Sequence, residues 1–178
     1  LGRLIGNPTF GRLSSTLTGG IAASGDDFKA EITSAAIRSF EVNGYNYSDL
    51  TAEGSYDRGR IRAQISSLDS NVRFRARTDI SRSGGETYRI NGDADFSSID
   101  FKALNLVNMD RCLASALADF NFTFNGNGIF EGGADIRDLS AMLGGERYDI
   151  GDISINSTAD GDEDFSTTIS STLLNLEY

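Results

Sequence analysis

The sequence predicts an all-β protein of antiparallel strands with little helix, and three observations carry that prediction. Composition comes first: 178 residues hold 20 Gly, one Pro, no His and no Trp, and Ser, Thr, Asn and Asp abound, the mixture that many short strands and tight turns require. Period comes second. Apolar residues recur at every second position, as in SNVRFRARTDIS (Ser70 to Ser81), where Val72, Phe74, Ala76 and Ile80 share one side of an extended chain and Arg73, Arg75, Arg77 and Asp79 the other. Third, the connections between these runs are too short for the crossover helices of a parallel sheet.

The elements follow in order. Leu13 to Ile21 alternates loosely, and Gly25-Asp26-Asp27 turns it into Phe28 to Ile32. Ile37 to Val42 ends at Asn43-Gly44, a dipeptide suited to a hairpin. Leu50, Ala52, Gly54 and Tyr56 alternate with Thr51, Glu53 and Ser55; after Asp57-Arg58-Gly59, Ile61, Ala63 and Ile65 alternate with Arg62 and Gln64. The Val72 strand is next, and beyond Ser83-Gly84-Gly85 a strand carries Tyr88, Ile90, Gly92, Ala94 and Phe96 on one face. Asn108 to Asp119 has helical spacing at Leu113 and Leu117, the one place where a helix competes with a strand. Phe120, Phe122 and Phe124 return to strict alternation, and Ile129 to Ile136, Leu139 to Leu143, Ile150 to Ile155 and Phe165 to Leu174 complete roughly a dozen strands.

A weak internal repeat argues for one extended sheet instead of a closed sandwich. YNYSDLTAEGSYDRGRIRAQISS, from Tyr45, and YDIGDISINSTADGDEDFSTTISS, from Tyr148, share a Tyr, an Asp-aliphatic pair, an Asp turn and Ile-Ser-Ser. The chain divides accordingly into two meander units, 1–107 and 108–178, the second continuous with the first.

Several function classes fall away. A formal charge of −10 and a pI near 4.4 oppose a nucleic-acid partner, which needs a net basic face. The single Cys112 forms no internal disulfide, and no Cys/His set exists for zinc. No His is available as a general base and no Gly-rich phosphate loop with its Lys is present, so no catalytic residue, cofactor or metal is expected and the chain does not read as an enzyme. Asp160-Gly-Asp162-Glu-Asp164 suggests calcium, but in the EF-hand register the sixth position is Phe165 and the twelfth Ser171, where Gly and Glu are needed. It reads as a solvated hairpin tip, and Asp93 with Asp95 as a solvated strand face. No signal peptide and no run of roughly 18 to 20 apolar residues is found. The chain begins and stops in mid-pattern, which reads as a section of a longer protein.

What remains is the dry face, which needs a second sheet, a helix, a membrane or an apolar ligand. A transmembrane barrel would show a tall apolar band with aromatic girdles, whereas Ala, Gly and Thr dilute this one. The run FEVNGYNYSDLTAEGSY from Phe40, followed by a Gly turn, IRAQIS from Ile61 and SNVRFRARTDI from Ser70, resembles the repeating unit of the TamB (translocation and assembly module) family of the AsmA-like superfamily, in its Bacteroidetes-type form. GDADFSSIDFKALNL (Gly92 to Leu106) is similar to that family's link between units, and GIFEGGADIRDLS with YDIGDISINS to the strands that follow. The paired arginines of the Val72 strand depart from its usual Lys and Asp.

The resemblance implies a sheet curled lengthwise into a β-taco, with an apolar groove inside and a polar exterior. It implies a periplasmic section of a protein anchored in the inner membrane, carrying phospholipid acyl chains toward the outer membrane and working with an Omp85-type outer-membrane barrel partner. On that reading the groove is lined by Leu50, Ala52, Ile61, Ile65, Val72, Phe74, Ile80, Ile90 and Phe96, and in the second unit by Ile153, Ile155, Phe165 and Ile169. The alternative is a scaffold for outer-membrane protein assembly that pairs strands along its open sheet edge.

Overall fold

The computed structural model describes residues 9–24, 27–85, 87–108, 112–124, 130–160, 164–172 and 175–177. These form twelve strands of one antiparallel sheet: β1 (Phe10–Ser24), β2 (Asp27–Val42), β3 (Tyr45–Tyr47), β4 (Leu50–Asp57), β5 (Arg60–Leu68), β6 (Val72–Gly84), β7 (Thr87–Asp100), β8 (Cys112–Phe124), β9 (Phe130–Leu143), β10 (Glu146–Asp160), β11 (Asp164–Ser171) and β12 (Asn175–Glu177). Their order across the sheet is β1-β2-β4-β5-β6-β7-β8-β9-β10-β11-β12, with β3 beside β2, so the sheet is a plain meander that does not close on itself. No helix occurs among the described residues, and none is long and apolar enough to cross a membrane.

Alternation built this sheet, and the interruptions are bulges instead of breaks. Phe28 to Ile32 and Ile37 to Val42 are one strand, β2, with a register shift between Ile32 and Ala35. Residues 130–136 and Leu139 to Leu143 likewise merge into β9, bent at Asp138, whose φ of 53° is a left-handed conformation that Asp tolerates. β3 and β4 are two pieces of one run along β2, split at Ser48-Asp49, where Asp49 has φ 52°. In the second copy of the repeat Gly151 (φ 84°), three residues after Tyr148, carries the register shifts of β10, whereas in the first Asp49, four residues after Tyr45, splits two strands.

Of the helix and strand that compete over Asn108 to Asp119, the strand forms from Cys112 onward, as β8. Its helical spacing rested on two leucines, while Ala114, Ala116, Ala118, Phe120 and Phe122 keep an unbroken period of two that matches the apolar face of β7. Pairing on both sides decides the conformation over local propensity. Because β7 pairs with β8 from Tyr88↔Phe124 to Asp100↔Leu113, the sheet runs unbroken across the boundary at 107/108.

Only five apolar side chains are buried among the described residues: Ala35, Leu50, Val72, Ala94 and Leu104. Leu50 and Val72 sit at the strand ends where two turns fold over the sheet. One is the β2–β3 turn; the other follows β7, where Asp100 Oδ1 accepts from the Ala103 amide and Leu104 N–H from the next turn of chain donates to the Asp100 carbonyl. The two turns meet over β4, β5 and β6 through reciprocal side-chain bonds, Asn43 Nδ2 to the Asn105 carbonyl and Asn105 Nδ2 to the Asn43 carbonyl, each 3.3 Å. Together they cap one flank of the sheet. The opposite flank has no such cover among the described residues.

Gly132 holds the β8–β9 register. Its φ is 134°, and a Cβ there would lie 2.0 Å from the Asn121 carbonyl oxygen. Gly132→Ala is therefore expected to cost about 3 kcal/mol, through a strained φ and a backbone collision that only a shift of the strand relieves. Chemical denaturation of the two proteins measures it.

Candidate functional site

The alternation that makes the strands also sorts side chains into rows that run across them, because antiparallel partners lie on the same face. One row crosses eight strands: Ile32↔Gly54↔Ala63↔Thr78↔Gly92↔Phe120↔Ala134↔Ile155, continuing to Ile169 in β11. Most of its members are small. One cavity of about 1140 Å³ follows this row, each of the eight strands contributing the row residue and its two chain neighbours. Glu53, Ser55, Arg62 and Gln64, whose side chains belong to the other face, are part of that lining.

Two further rows flank this one on the apolar face, and the three together form a shallow trough with this row as its floor. On the uncapped side run Tyr56, Ile61, Ile80, Ile90 and Phe122; on the capped side Ala52, Ile65, Ala76, Ala94, Ala118, Ile136 and Ile153. One row further come Leu50, Ser67, Phe74 and Phe96, with the Phe74 and Phe96 rings 5.8 Å apart. Seven strand spacings at about 4.8 Å make the trough about 34 Å long. Nothing packs on it among the described residues: Ile61 is 41% exposed and Ile65 38%, although both belong to the apolar face. Ala94, by contrast, is only 7% exposed with no second layer above it, the mark of a concave wall.

Register thus puts the sequence-predicted lining residues on one face, but in different places. Ile61, Ile80 and Ile90, and Ala52, Ile65 and Ile153, bank the trough; Ile155 and Ile169 lie in its floor row. Leu50 and Val72 are buried at the capped flank and serve there as core. Phe165 pairs with Ala159 in backbone register, its side chain lying outside those described. The candidate calcium loop, Asp160 to Asp164, also lies outside the described residues apart from its strand ends; among described residues no Asp, Glu or Cys cluster suits a metal. The floor residues Gly54, Ala63, Thr78, Gly92, Phe120 and Ala134 were not picked out by sequence, since small residues in a strand read as dilution.

The opposite face is charged and wet. Arg60 and Arg62 both reach Asp79, at 2.6 and 3.3 Å, Arg77 reaches Asp93 at 3.1 Å, and Arg137 pairs with Asp119. The hydrogen bonds from Arg60 hold the Asp79 carboxyl below the usual carboxylate range. These exposed pairs each contribute little to stability; they keep the exterior polar. Asp93 and Asp95 stand on this face opposite Arg77 and Arg75.

The cap is fastened by one carboxylate that alternation did not disclose. Asp69, 2% exposed, accepts from the Tyr45 hydroxyl (2.5 Å), the Asn71 amide (2.8 Å), and the Ser48 amide and hydroxyl (2.8 and 3.1 Å). Burial pushes its pKa up, but these bonds outweigh burial and hold it below the ordinary value. The Tyr45 hydroxyl, partly buried and donating to a carboxylate, is pushed up to about 12. Cys112 is unpaired. No family model, curated protein or solved structure matches this chain.

Proposed function

We propose that this chain is a section of a TamB-like, AsmA-like lipid-transfer protein, which carries phospholipid along its apolar groove between inner and outer membrane of a Gram-negative periplasm. The observation that carries the reading is the apolar face left unpacked across eight strands, with a central row of mostly small side chains. Sheltering a methylene from water contributes about 0.8 kcal/mol, so an acyl chain of about fourteen carbons gains on the order of 10 kcal/mol without any directional contact. Binding of that kind holds a chain and still lets it slide. An Omp85-type barrel would then be met by other parts of the full protein.

A second reading, pairing of unfolded outer-membrane strands along the sheet edge, is favoured by β1. That edge strand carries one charged residue, Arg12, in its fifteen, and lacks the Lys and Pro that usually guard an edge.

Photocrosslinking separates the two. With the probe at Ile65 and phospholipid vesicles as donor, mass analysis should find lipid adducts, while a probe at Gln64, its neighbour on the wet face, should find none. Adducts at neither position, or equally at both, would remove the groove reading.

A further inference from the structure

The two flanks of the groove differ, and the difference specifies which end of an amphiphile lies where. At the uncapped flank the apolar face ends in a lip where Phe28, Ile61, Tyr88 and Phe124 are exposed and the half-buried Tyr56 ring lies 5.5 Å from that of Phe28. The last row on this lip reads Arg82↔Tyr88↔Phe124. Strand β6 pairs with β5 without interruption from Arg73 to Ser81, and the Arg82 amide donates to the Gly59 carbonyl, so the period of two carries straight from Thr78 and Ile80 to Arg82. Among the described residues of β4 to β8, Arg82 is the one charged side chain in register on the apolar face. Its neighbours in sequence and charge, Arg77 and Arg89, stand on the other.

Arg82 is exposed, and its Nε donates to the Gly85 carbonyl at the tip of its own turn. No carboxylate among the described residues reaches the guanidinium, whereas Arg60, Arg62, Arg77 and Arg137 are all paired with aspartates. A cation with no carboxylate partner among the described residues, in register with Tyr88 and Phe124 in a chain of net charge −10, is complementary to an anion that arrives with an apolar body attached. From Thr78 on the floor to Arg82 is four residues, about 13 Å of strand.

We infer that Arg82 receives the anionic phosphate headgroup of a lipid whose acyl chain lies in the trough, so that lipid enters from the uncapped flank and anionic headgroups are preferred over zwitterionic ones. The inference rests on the groove reading and adds to it a selectivity and a side of entry.

The test uses vesicles containing equal phosphatidylglycerol and phosphatidylcholine. Purified protein is incubated with them, re-isolated, and its bound lipid quantified by mass spectrometry. Wild type should enrich the anionic lipid about fivefold, Arg82→Gln should bring the ratio to about one with total lipid kept within about twofold, and Arg89→Gln should behave as wild type. Added inorganic phosphate should leave the wild-type ratio in place, because it lacks the tail. An unchanged ratio in Arg82→Gln overturns the inference while the groove stands. Loss of the preference with inorganic phosphate would mean a plain anion site and also overturns it. Wild type free of lipid overturns the groove reading, and this inference with it.

Discussion

Asp69→Ala should lower the stability of this protein by about 3 kcal/mol, the largest loss expected from any single side chain in it. The carboxylate is the shared acceptor for four donors on three segments: Tyr45 in β3, Ser48 before β4, and Asn71 before β6. Removing it leaves buried donors unmatched, and each such group costs about 1 to 3 kcal/mol. For a chain of this length the melting temperature should fall by about 10 °C. Asp69→Asn should cost about half as much, because its amide keeps one acceptor and turns a donor toward donors. A pH series supplies an independent check. The Asp69 pKa is depressed in the fold, so its contribution is complete above about pH 4 and is lost as the pH falls through the lower folded value. Tyr45 is shifted the other way, to about 12, so its contribution is complete below about pH 10 and is lost as the pH rises toward 12. Wild type should therefore lose stability more steeply below pH 4 than Asp69→Asn does. Parallel acid profiles for the two proteins would show that the carboxylate does not hold the cap.

Period two was enough to read the architecture. The alternation of β4 to β7, the turns at Asp57-Arg58-Gly59 and Ser83-Gly84-Gly85, and the shortness of connections gave strand identity and antiparallel order, because each depends on local geometry alone. It also gave the apolar face. It did not give the depth of any position on that face, since Leu50 and Ile65 have the same pattern and only the cap makes one core and leaves the other open. Bulges were equally hidden: the left-handed residues Asp49 and Asp138 are ordinary aspartates in the sequence, and each shifts the register after it. The Asn108 to Asp119 segment stayed open between helix and strand for a related reason. Two leucines four apart fit a helix, and the alanines that decide for a strand do so through partners in β7 and β9, distant in sequence. Asp69 escaped notice because a lone acid in a turn is ordinary until Tyr45 and Ser48 are brought to it.

The cap and the floor set the terms on which the groove can be blocked without unfolding the sheet. Ala63 lies in the floor row between Gly54 and Thr78, on the face where Ile61 and Ile65 stay exposed and nothing among the described residues packs. A tryptophan there gains cover from the banks of the trough and meets no second layer, so Ala63→Trp should fold with stability within about 1 kcal/mol of wild type. It would nevertheless occupy the path that an acyl chain must follow, and a chain routed around the ring loses shelter for several methylenes at about 0.8 kcal/mol each. Lipid recovered with the protein should fall at least about tenfold. Gln64→Trp adds the same bulk one residue away on the charged face and should leave recovery within about twofold. The same tryptophan at Gly92 would be uninformative, because a Cβ there already lies 2.4 Å from the Arg77 carbonyl oxygen and the strand itself would have to move. Full lipid recovery by a folded Ala63→Trp protein would mean that acyl chains do not run along this floor, and that the cavity spanning β2 to β10 is not the route of transport.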